Sequence, residues 1–276
     1  MNLAYSPCPN DTYVFAAWTN GLLKGAPNVT VHLGDIDELN HAAARGEFDL
    51  IKTSYGAIPY LSDKYNVLRS GGALGRACGP LLVARPENSP EHFAEFKSKR
   101  IAIPGERTTA FALLQLALGG RPRGVVQMRF DRIVDAVRNG DVDGGLIIHE
   151  SRFTYRQAGL IAITDLGEWW ENMTLLPIPL GAILVPKSLD DATVRNARET
   201  IRRSLAFARS HEDLVMPYVR EHAFEMSDEV MRQHISLYVN EFTDDLGELG
   251  IEAAHAFFAR AREAGVSDRD AEVAFV

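Results

Sequence analysis

Cysteine is scarce in this sequence, with Cys8 and Cys78 the two examples among 276 residues. Neither has a second cysteine or a histidine at the spacing of a zinc ligand set, so the sequence predicts no disulfide framework and no metal site. We interpret both cysteines as small residues that are buried close to the backbone.

Positive charge is also in short supply. The chain has 29 lysine and arginine residues against 37 aspartate and glutamate residues, which gives a formal net charge of -8 at pH 7. Nucleic-acid binding needs a basic face to neutralise phosphates, and no run of this sequence is rich in lysine or arginine. DNA and RNA are therefore excluded as partners, and a small molecule is expected instead.

Long hydrophobic runs are missing as well. A transmembrane helix requires about 20 consecutive apolar residues, and no stretch of the chain approaches this length, so no membrane partner is expected. The first residues, Met1–Ser6, contain neither a basic segment nor an apolar core, and Pro7 and Pro9 follow them directly. A basic segment followed by an apolar core is what characterises a signal peptide. Because both are missing here, we expect a cytoplasmic protein.

The sequence does contain an alternation of short β-like runs with stretches of helical period, which is typical of an α/β fold with a parallel sheet. Predicted strands are Leu3–Tyr5, Val29–Leu33, Phe48–Lys52, Leu81–Ala84, Arg100–Ile103, Val125–Phe130, Gly145–Ile148 and Leu180–Val185. Predicted helices are Thr12–Asn20, Ile36–Arg45, Tyr55–Leu61, Thr109–Leu118 and Arg132–Asn139, followed by a largely helical segment over Asp190–Ala264.

The apolar strands Leu81–Ala84 and Leu180–Val185 flank a self-contained α/β segment, which indicates that the chain crosses twice between two lobes. We expect a large lobe made of residues 1–84 and 184–276, and a small inserted lobe made of residues 85–183. This is the plan of a hinged binding-protein fold, in which a ligand lies in the cleft between the lobes. For the oligomeric state there are two alternatives, a monomer and a homodimer formed through the C-terminal helices.

Polar residues cluster where four of the predicted strands end. In open α/β sheets, ligands bind beyond the carboxyl ends of the strands, often against the start of a helix. The four segments are Ser6–Thr12, Lys52–Tyr55, Pro104–Thr109 and His149–Arg152. In a two-lobed protein all four would open onto one cleft, so we predict a single binding site there.

The chemistry of these segments suits a carboxylated ligand. Hydroxyl groups that can donate to a carboxylate belong to Ser6, Ser54, Thr108 and Thr109. Lys52 adds a positive charge, and Arg76 lies in a glycine-rich segment that we interpret as a loop able to approach a ligand. The purely structural alternative is that Asp11 and Thr108 cap helices and that Lys52 lies on the surface.

His149 is the histidine beside the predicted cleft, and its reference pKa of about 6.5 makes it the natural proton acceptor. Glu150 and Asp165 are candidates for orienting its ring. The alternative is a core histidine that is hydrogen-bonded to the backbone. Trp169 and Trp170 are interpreted as packing residues of the core or of the lobe interface, and the alternative is that they cover an aromatic ligand.

Four of these stretches, Ser6–Thr12, Arg69–Arg76, Gly145–Tyr155 and Leu176–Leu184, resemble those of the 1,4-dihydroxy-6-naphthoate synthases, a family of the futalosine route to menaquinone. The similarity runs from Ser6 to Phe242 without a large gap. It implies a fold like that of type 2 periplasmic binding proteins, but without a periplasmic role. It also implies a lyase that needs no cofactor and splits cyclic dehypoxanthine futalosine into 1,4-dihydroxy-6-naphthoate and dihydroxyacetone.

The resemblance implies roles for individual residues. His149 matches the proposed proton acceptor of the family, and the matching pocket residues are Lys52, Thr53, Ser54, Tyr55, Thr108 and Thr109. Ser6, Asn10, Asp11 and Arg76 complete the substrate site that we predict. Two alternatives remain, a chorismate dehydratase of the same pathway and a non-catalytic cytoplasmic protein that binds a small carboxylate. A binding protein would tolerate the loss of His149, whereas the enzyme would not.

Overall fold

A computed structural model of the chain describes residues 1–223 and 227–276. Its strands are β1 (Asn2–Tyr5), β2 (Thr30–Leu33), β3 (Leu50–Ser54), β4 (Tyr65–Gly75), β5 (Leu81–Ala84), β6 (Arg100–Ile103), β7 (Gly124–Gln127), β8 (Gly144–Ile147), β9 (Ile161–Asp165) and β10 (Ile178–Pro186). Its helices are α1 (Pro9–Thr19), α2 (Ile36–Arg45), α3 (Thr109–Leu118), α4 (Ile133–Asn139), α5 (Ser151–Thr154), α6 (Leu166–Thr174), α7 (Asp191–Ser210), α8 (Glu212–His222), α9 (Asp228–Tyr238), α10 (Glu241–Asp244) and α11 (Gly247–Glu263). Residues 224–226, part of the predicted helical segment Asp190–Ala264, lie outside the described residues.

The described strands form two five-stranded sheets, with the orders β2-β1-β3-β10-β4 and β7-β6-β8-β5-β9. In each sheet the first three strands are parallel, and the fourth, β10 or β5, runs antiparallel to its neighbours. Each sheet is covered by helices, as parallel strands require because both of their faces are apolar. The prediction of a two-lobed α/β fold is confirmed.

The crossings between the sheets come earlier in the chain than predicted. The prediction placed Leu81–Ala84 in the first lobe and most of β10 in the second, but β5 pairs with β8 and β9, and β10 pairs with β3 and β4. The chain therefore changes sheets before each apolar strand, in residues 76–80 and 175–177. An apolar strand is buried equally well in either sheet, so its composition alone could not say to which one it belongs.

Both sheets have a point at which the strand order reverses, beside β1 in the first sheet and beside β6 in the second. β1 pairs with β2 on one side and β3 on the other, and β6 pairs in the same way with β7 and β8. In such an arrangement, the connections that leave β1 and β3 go to opposite faces of the first sheet, and those that leave β6 and β8 go to opposite faces of the second. A crevice therefore opens at the ends of these strands. The polar segments singled out in the sequence lie at the carboxyl ends of these four strands.

Local sequence signals account for several helices. α2 and α3 have the predicted bounds, and each ends at a glycine in the left-handed conformation, Gly46 at φ 76° and Gly119 at φ 65°. α1 begins at Pro9 rather than Thr12, because proline suits the first helical position and the carbonyl of Cys8 accepts from the N–H of Thr12. Asp11 therefore lies inside the first turn and is not the N-cap that the sequence suggested.

The glycine-rich segment before Arg76 is a strand, not the predicted loop. It forms the second half of β4, which pairs with β10 through two register shifts. A Cβ atom on Gly72 would lie 2.9 Å from the carbonyl oxygen of Gly181, so β4 and β10 approach each other more closely than a larger residue would allow. The predicted helix Tyr55–Leu61 is a 3-10 helix over Tyr55–Tyr60 that contains Pro59.

The C-terminal helices cover the first sheet. α7, α8 and α9 pack against α1, and α11 contacts β10. The buried face of α7 includes Ile201 and Leu205, as its apolar stripe predicts. Within residues 1–223 and 227–276, no helix combines the length and the apolar character that a membrane span needs.

Candidate active site

One cavity opens at the ends of β1, β3, β6 and β8, and so collects the four predicted polar segments. Its walls are formed by Ser6, Asn10, Asp11, Ile36, Lys52, Ser54, Ala73, Cys78, Pro80, Thr108, Thr109, Ala110, Ile148, His149, Leu180, Gly181, His234 and Tyr238. Eight of the predicted site residues are in this set, whereas Thr53, Tyr55 and Arg76 are not.

The alternation of side chains along β3 separates the residues of the Lys52–Tyr55 segment. Successive side chains of a strand point to opposite faces, so Lys52 and Ser54 reach the cavity while Thr53 points away from it. Tyr55, the first residue of the following 3-10 helix, is also outside the cavity walls. Tyr55 is fully buried, and its ring lies 6.1 Å from that of Phe258. Thr53 and Tyr55 are thus core residues. The family resemblance was assigned to the whole Lys52–Tyr55 segment and could not separate these two residues from the cavity residues Lys52 and Ser54.

A buried ion pair forms the floor of the cavity. The Lys52 Nζ atom lies 2.6 Å from Asp11 Oδ1, and the two side chains are only 5% and 3% exposed. The Asp11 carboxylate also accepts from the Ser6 hydroxyl at 2.7 Å and from the Asn10 amide at 2.7 Å. Four predicted site residues therefore form one hydrogen-bonded cluster, in which Asp11 holds Lys52 at the cavity wall.

Ser54 is held by a residue that the sequence analysis did not single out. Asn40, on α2, donates from Nδ2 to Ser54 Oγ at 3.1 Å and accepts from the Ser54 N–H at 2.8 Å. Both residues are buried. These two bonds fix the orientation of the Ser54 hydroxyl at the end of β3.

The start of α3 brings backbone donors to the opposite wall. Thr108 is the N-cap, and its Oγ1 atom accepts from the Phe111 N–H at 3.2 Å while donating to the Gly105 carbonyl at 2.8 Å. By their position in the first turn, the N–H groups of Thr109 and Ala110 have no acceptor within the helix. The helix start therefore offers donors to an anion, although the Thr108 hydroxyl itself is engaged with the protein.

Thr109 joins the two lobes beside the cavity. Its hydroxyl donates to the Leu180 carbonyl at 2.7 Å and accepts from the Gly56 N–H at 3.2 Å. A Cβ atom on Gly56 would lie 2.8 Å from the Thr108 carbonyl oxygen, so a glycine is needed for this approach. The side chain of Thr109 thus docks the second lobe onto the first.

Replacing Thr108 with valine should lower the free energy of unfolding by about 1 kcal/mol, because the buried Phe111 N–H loses its acceptor. Thr108→Ser keeps the hydroxyl and serves as the matched control, with stability close to that of the wild type. Urea denaturation of the three proteins measures the effect. Unchanged stability of Thr108→Val together with a raised KM would instead show that the hydroxyl serves the substrate.

His149 follows β8 in an unusual backbone conformation, with φ at 56°, which few residues other than glycine adopt. Its Nδ1 atom lies 3.3 Å from Cys8 Sγ, and the Phe130 ring meets its ring edge-on at 4.9 Å. Burial lowers the pKa of His149 from about 6.5 to about 4. The imidazole is therefore neutral near pH 7 and able to accept a proton.

Cys8, and not one of the two predicted orienting residues, lies within hydrogen-bond distance of the His149 Nδ1 atom. Asp165 caps α6 and pairs with Arg152 at 2.7 Å. Among the described residues the buried Glu150 Oε2 has no hydrogen-bond partner, and burial raises the pKa of this carboxyl to about 7. Burial also raises the pKa of the Cys8 thiol, which keeps it protonated beside His149. The contact between Cys8 and His149 could not be predicted from the sequence, because the two residues are 141 positions apart in the chain.

Arg76 lies in a crossing segment and away from the cavity walls. Its guanidinium donates to the Leu175 carbonyl at 3.0 Å and pairs with Glu171 at 3.6 Å. It thereby ties one crossing segment to the other. Trp170 is fully buried and donates to the Pro177 carbonyl at 3.1 Å, as the packing interpretation of the tryptophans predicts.

Two residues of α9 complete the cavity, and the sequence analysis missed both. His234 and Tyr238 lie with Met231 on the buried face of this helix. The helical spacing of the three was the available signal, since a histidine at an apolar position of a buried stripe is unusual. The prediction that His149 is the histidine of the cleft is therefore incomplete, because His234 also faces the cavity.

The lobes meet tightly at the mouth of the cleft. Gln127, at the end of β7, donates to Asp37 Oδ2 at 2.6 Å, and Asp37 lies in the first turn of α2. A Cβ atom on Gly105 would lie 2.1 Å from Asp37 Oδ1, so a larger residue would have to displace the Asp37 side chain where the second lobe touches the first. These contacts describe a closed cleft.

The two cysteines are free and buried, as the sequence predicts. Within the described ranges, no three histidine, cysteine, aspartate or glutamate side chains are grouped so that they could hold a metal ion.

Comparison with known proteins gives close relatives over nearly the whole chain. A family model described as menaquinone biosynthesis matches residues 1–263. A protein of Streptomyces coelicolor named 1,4-dihydroxy-6-naphtoate synthase is 46% identical over 270 residues, which cover 96% of this chain and 94% of the relative. A protein of Thermus thermophilus with the same name is 45% identical over 268 residues, covering 97% of this chain and 96% of the relative.

Solved structures share the fold. A crystal structure of an Archaeoglobus fulgidus protein superposes with a TM-score of 0.89 at 32% identity, covering 96% of this chain and 98% of that one. The alkanesulfonate-binding protein of Xanthomonas axonopodis has a TM-score of 0.74 at 14% identity, with 96% and 93% coverage. At this low identity the second likeness shows the two-lobed binding-protein fold alone.

Proposed function

This chain belongs to the menaquinone-biosynthesis family, together with relatives named 1,4-dihydroxy-6-naphtoate synthase, and we propose that it is a lyase of that pathway. The proposed reaction converts cyclic dehypoxanthine futalosine to 1,4-dihydroxy-6-naphthoate and dihydroxyacetone. His149 is the proposed base, and no cofactor takes part.

The observation that supports this function most strongly is the pairing of His149 with anion-binding groups in one closed cavity. His149 lines the same cavity as Lys52 and the start of α3. A neutral imidazole can accept a proton, while a lysine and free N–H groups bind a carboxylate. A carboxylated substrate that must lose a proton fits this combination.

We assign the substrate carboxylate to the first turn of α3. The N–H groups of Thr109 and Ala110 and the positive end of the helix dipole favour a negative charge there. Lys52 supplies a buried positive charge in the same cavity. In this arrangement Thr108 acts indirectly, because its hydroxyl shapes the helix start and leaves the backbone N–H groups to the ligand.

His149 would remove a proton from the non-aromatic ring of the substrate. Cleavage then yields an aromatic naphthoate, so aromatisation supplies driving force. A positioned base contributes about 10²–10⁴-fold to the rate. Orientation of the substrate and exclusion of water by the closed lobes supply the rest.

We propose that the lobes divide where the chain changes sheets, and that these segments act as the hinge. Ala77 and Leu175 have φ values of 54° and 61°, and each lies in one of the two crossings. Arg76 binds the two crossings together. The biosynthetic relatives also support a cytoplasmic location, which cell fractionation would test.

Incubation of the purified protein with cyclic dehypoxanthine futalosine and a chelator, without nucleotide, tests the proposal. We expect mass-resolved chromatography to detect 1,4-dihydroxy-6-naphthoate. Substrate that binds but remains intact would favour a binding protein. If the substrate neither binds nor reacts, chorismate is the next compound to assay.

The pH dependence tests the state of His149. With its pKa lowered to about 4 by burial, the ring stays almost fully neutral at pH 6, whereas a pKa of about 6.5 would leave about a quarter neutral. We therefore expect kcat/KM to change little between pH 8 and pH 6 and to fall toward pH 4. A fall near pH 7 that disappears in Glu150→Gln would belong to Glu150, and one near 6.5 in both proteins would contradict the assignment.

A further inference from the structure

His234 is a buried polar residue that the proposed mechanism does not use. It lies on α9, which packs against α1 and β4, and its side chain is 1% exposed. It nevertheless borders the cavity, next to Tyr238. The ring is thus enclosed by protein on most sides and faces the space that the substrate would fill.

Neither ring nitrogen of His234 has a hydrogen-bond partner in the part of the chain that the structure describes. Its other neighbours are rings, with Tyr238 at 4.6 Å and Phe153 at 6.2 Å between centroids. Rings pack well against an imidazole, but these contacts leave its N–H and its lone pair unsatisfied. An unpaired buried polar group is costly, and each case in a native fold needs an explanation.

The protonation state of His234 limits what it can bind. Burial, with smaller contributions from His149 and Lys52, lowers the pKa of His234 well below its usual value. A neutral imidazole has one donor and one acceptor. A carboxylate only accepts and is better matched by Lys52, whereas a hydroxyl or carbonyl oxygen can use the imidazole.

His234 and His149 face the same part of the cavity. Their ring centroids are 6.4 Å apart, and their planes differ by 25°. A substrate atom within reach of the proposed base is therefore close to His234 as well. The two histidines come from different parts of the fold: His149 follows β8 in the second sheet, and His234 lies on α9, which packs against the first sheet.

We propose that His234 is a further substrate-binding residue, whose imidazole forms a hydrogen bond to a hydroxyl or carbonyl oxygen of the substrate beside His149. This inference rests on the proposed function of the cavity. It assigns the hydroxylated part of the substrate to the two histidines and its carboxylate to Lys52 and the start of α3.

His234→Phe tests the inference, because phenylalanine keeps the ring and removes both nitrogens. Without substrate, we expect the unfolding midpoint to be unchanged or higher, since two unpaired polar atoms leave the core. With cyclic dehypoxanthine futalosine, we expect kcat/KM to fall roughly 5- to 150-fold, because a substrate oxygen is left unpaired. His255→Phe, which changes an exposed histidine, is the control.

His234→Asn and His234→Gln place an amide near the positions of Nδ1 and Nε2, so recovery of kcat/KM in one of them supports the inference and identifies the nitrogen. Wild-type kcat/KM in His234→Phe overturns it. So does a lower unfolding midpoint of substrate-free His234→Phe, which would show that the nitrogens are already paired. The affinity for cyclic dehypoxanthine futalosine, measured by titration of the wild type and His234→Phe, separates the two proposals. Absent wild-type turnover contradicts the lyase function, whereas equal affinity of the two proteins contradicts the role of His234.

Discussion

Replacing His149 with alanine should lower kcat about 10²–10⁴-fold while leaving KM close to that of the wild type. The reason is that the variant removes the neutral ring that accepts the proton and leaves the anion-binding groups in place. Lys52 and the start of α3 keep their positions, because neither is hydrogen-bonded to His149. Product formation by mass-resolved chromatography measures the change.

The backbone of His149 calls for a second variant, because its φ of 56° is strained for alanine. His149→Asn tolerates this conformation better and should be as inactive as His149→Ala, although it is folded at least as well. His255→Ala, on the exposed face of α11, should retain full activity. Near-wild-type kcat in either His149 variant would refute the assignment of the base.

Removing one partner of the Lys52–Asp11 pair should lower the free energy of unfolding by about 3–5 kcal/mol. Both side chains are at most 5% exposed, so Lys52→Met or Asp11→Asn leaves the remaining charge buried without its partner. The double variant should recover much of the loss, because it leaves neither charge uncompensated. Urea denaturation of the two single variants and the double variant gives the coupling energy directly.

The Arg220–Asp228 pair provides a matched control for burial. Its N–O distance is 2.7 Å, close to the 2.6 Å of the Lys52–Asp11 pair, but its side chains are 43% and 53% exposed. Water and salt screen such a pair, so Arg220→Met should have a far smaller effect on stability. Equal losses in Lys52→Met and Arg220→Met would contradict the argument from burial.

Elements with strong local signals were predictable to the residue. The bounds of α2 and α3 follow from a capping residue at the start, an apolar stripe and a glycine at the end. β4 was not predictable, because glycines in a strand resemble those of a loop until the close contact of Gly72 with β10 is known. The same error produced the expectation that Arg76 reaches the ligand.

For the candidate site, too, local features were predictable from the sequence and contacts between distant residues were not. The positions of Ser6, Lys52, Thr108 and His149 at strand ends placed them near one another before the fold was known. The sequence could not reveal that Asp11 binds Lys52, that Cys8 contacts His149, or that His234 closes the cavity. These contacts join residues that are far apart in the chain, and local spacing contains no information about them.

The sequence by itself determined the family, the α/β class and the strand ends at which the chemistry lies, because periodicity, caps and motifs are local properties. Only the tertiary structure decided which sheet β5 and β10 join, which face of β3 meets the cavity, and which residues neighbour His149. The physical reason is that burial and pairing depend on the packing of the two lobes, and an apolar strand or a single histidine is compatible with several such packings.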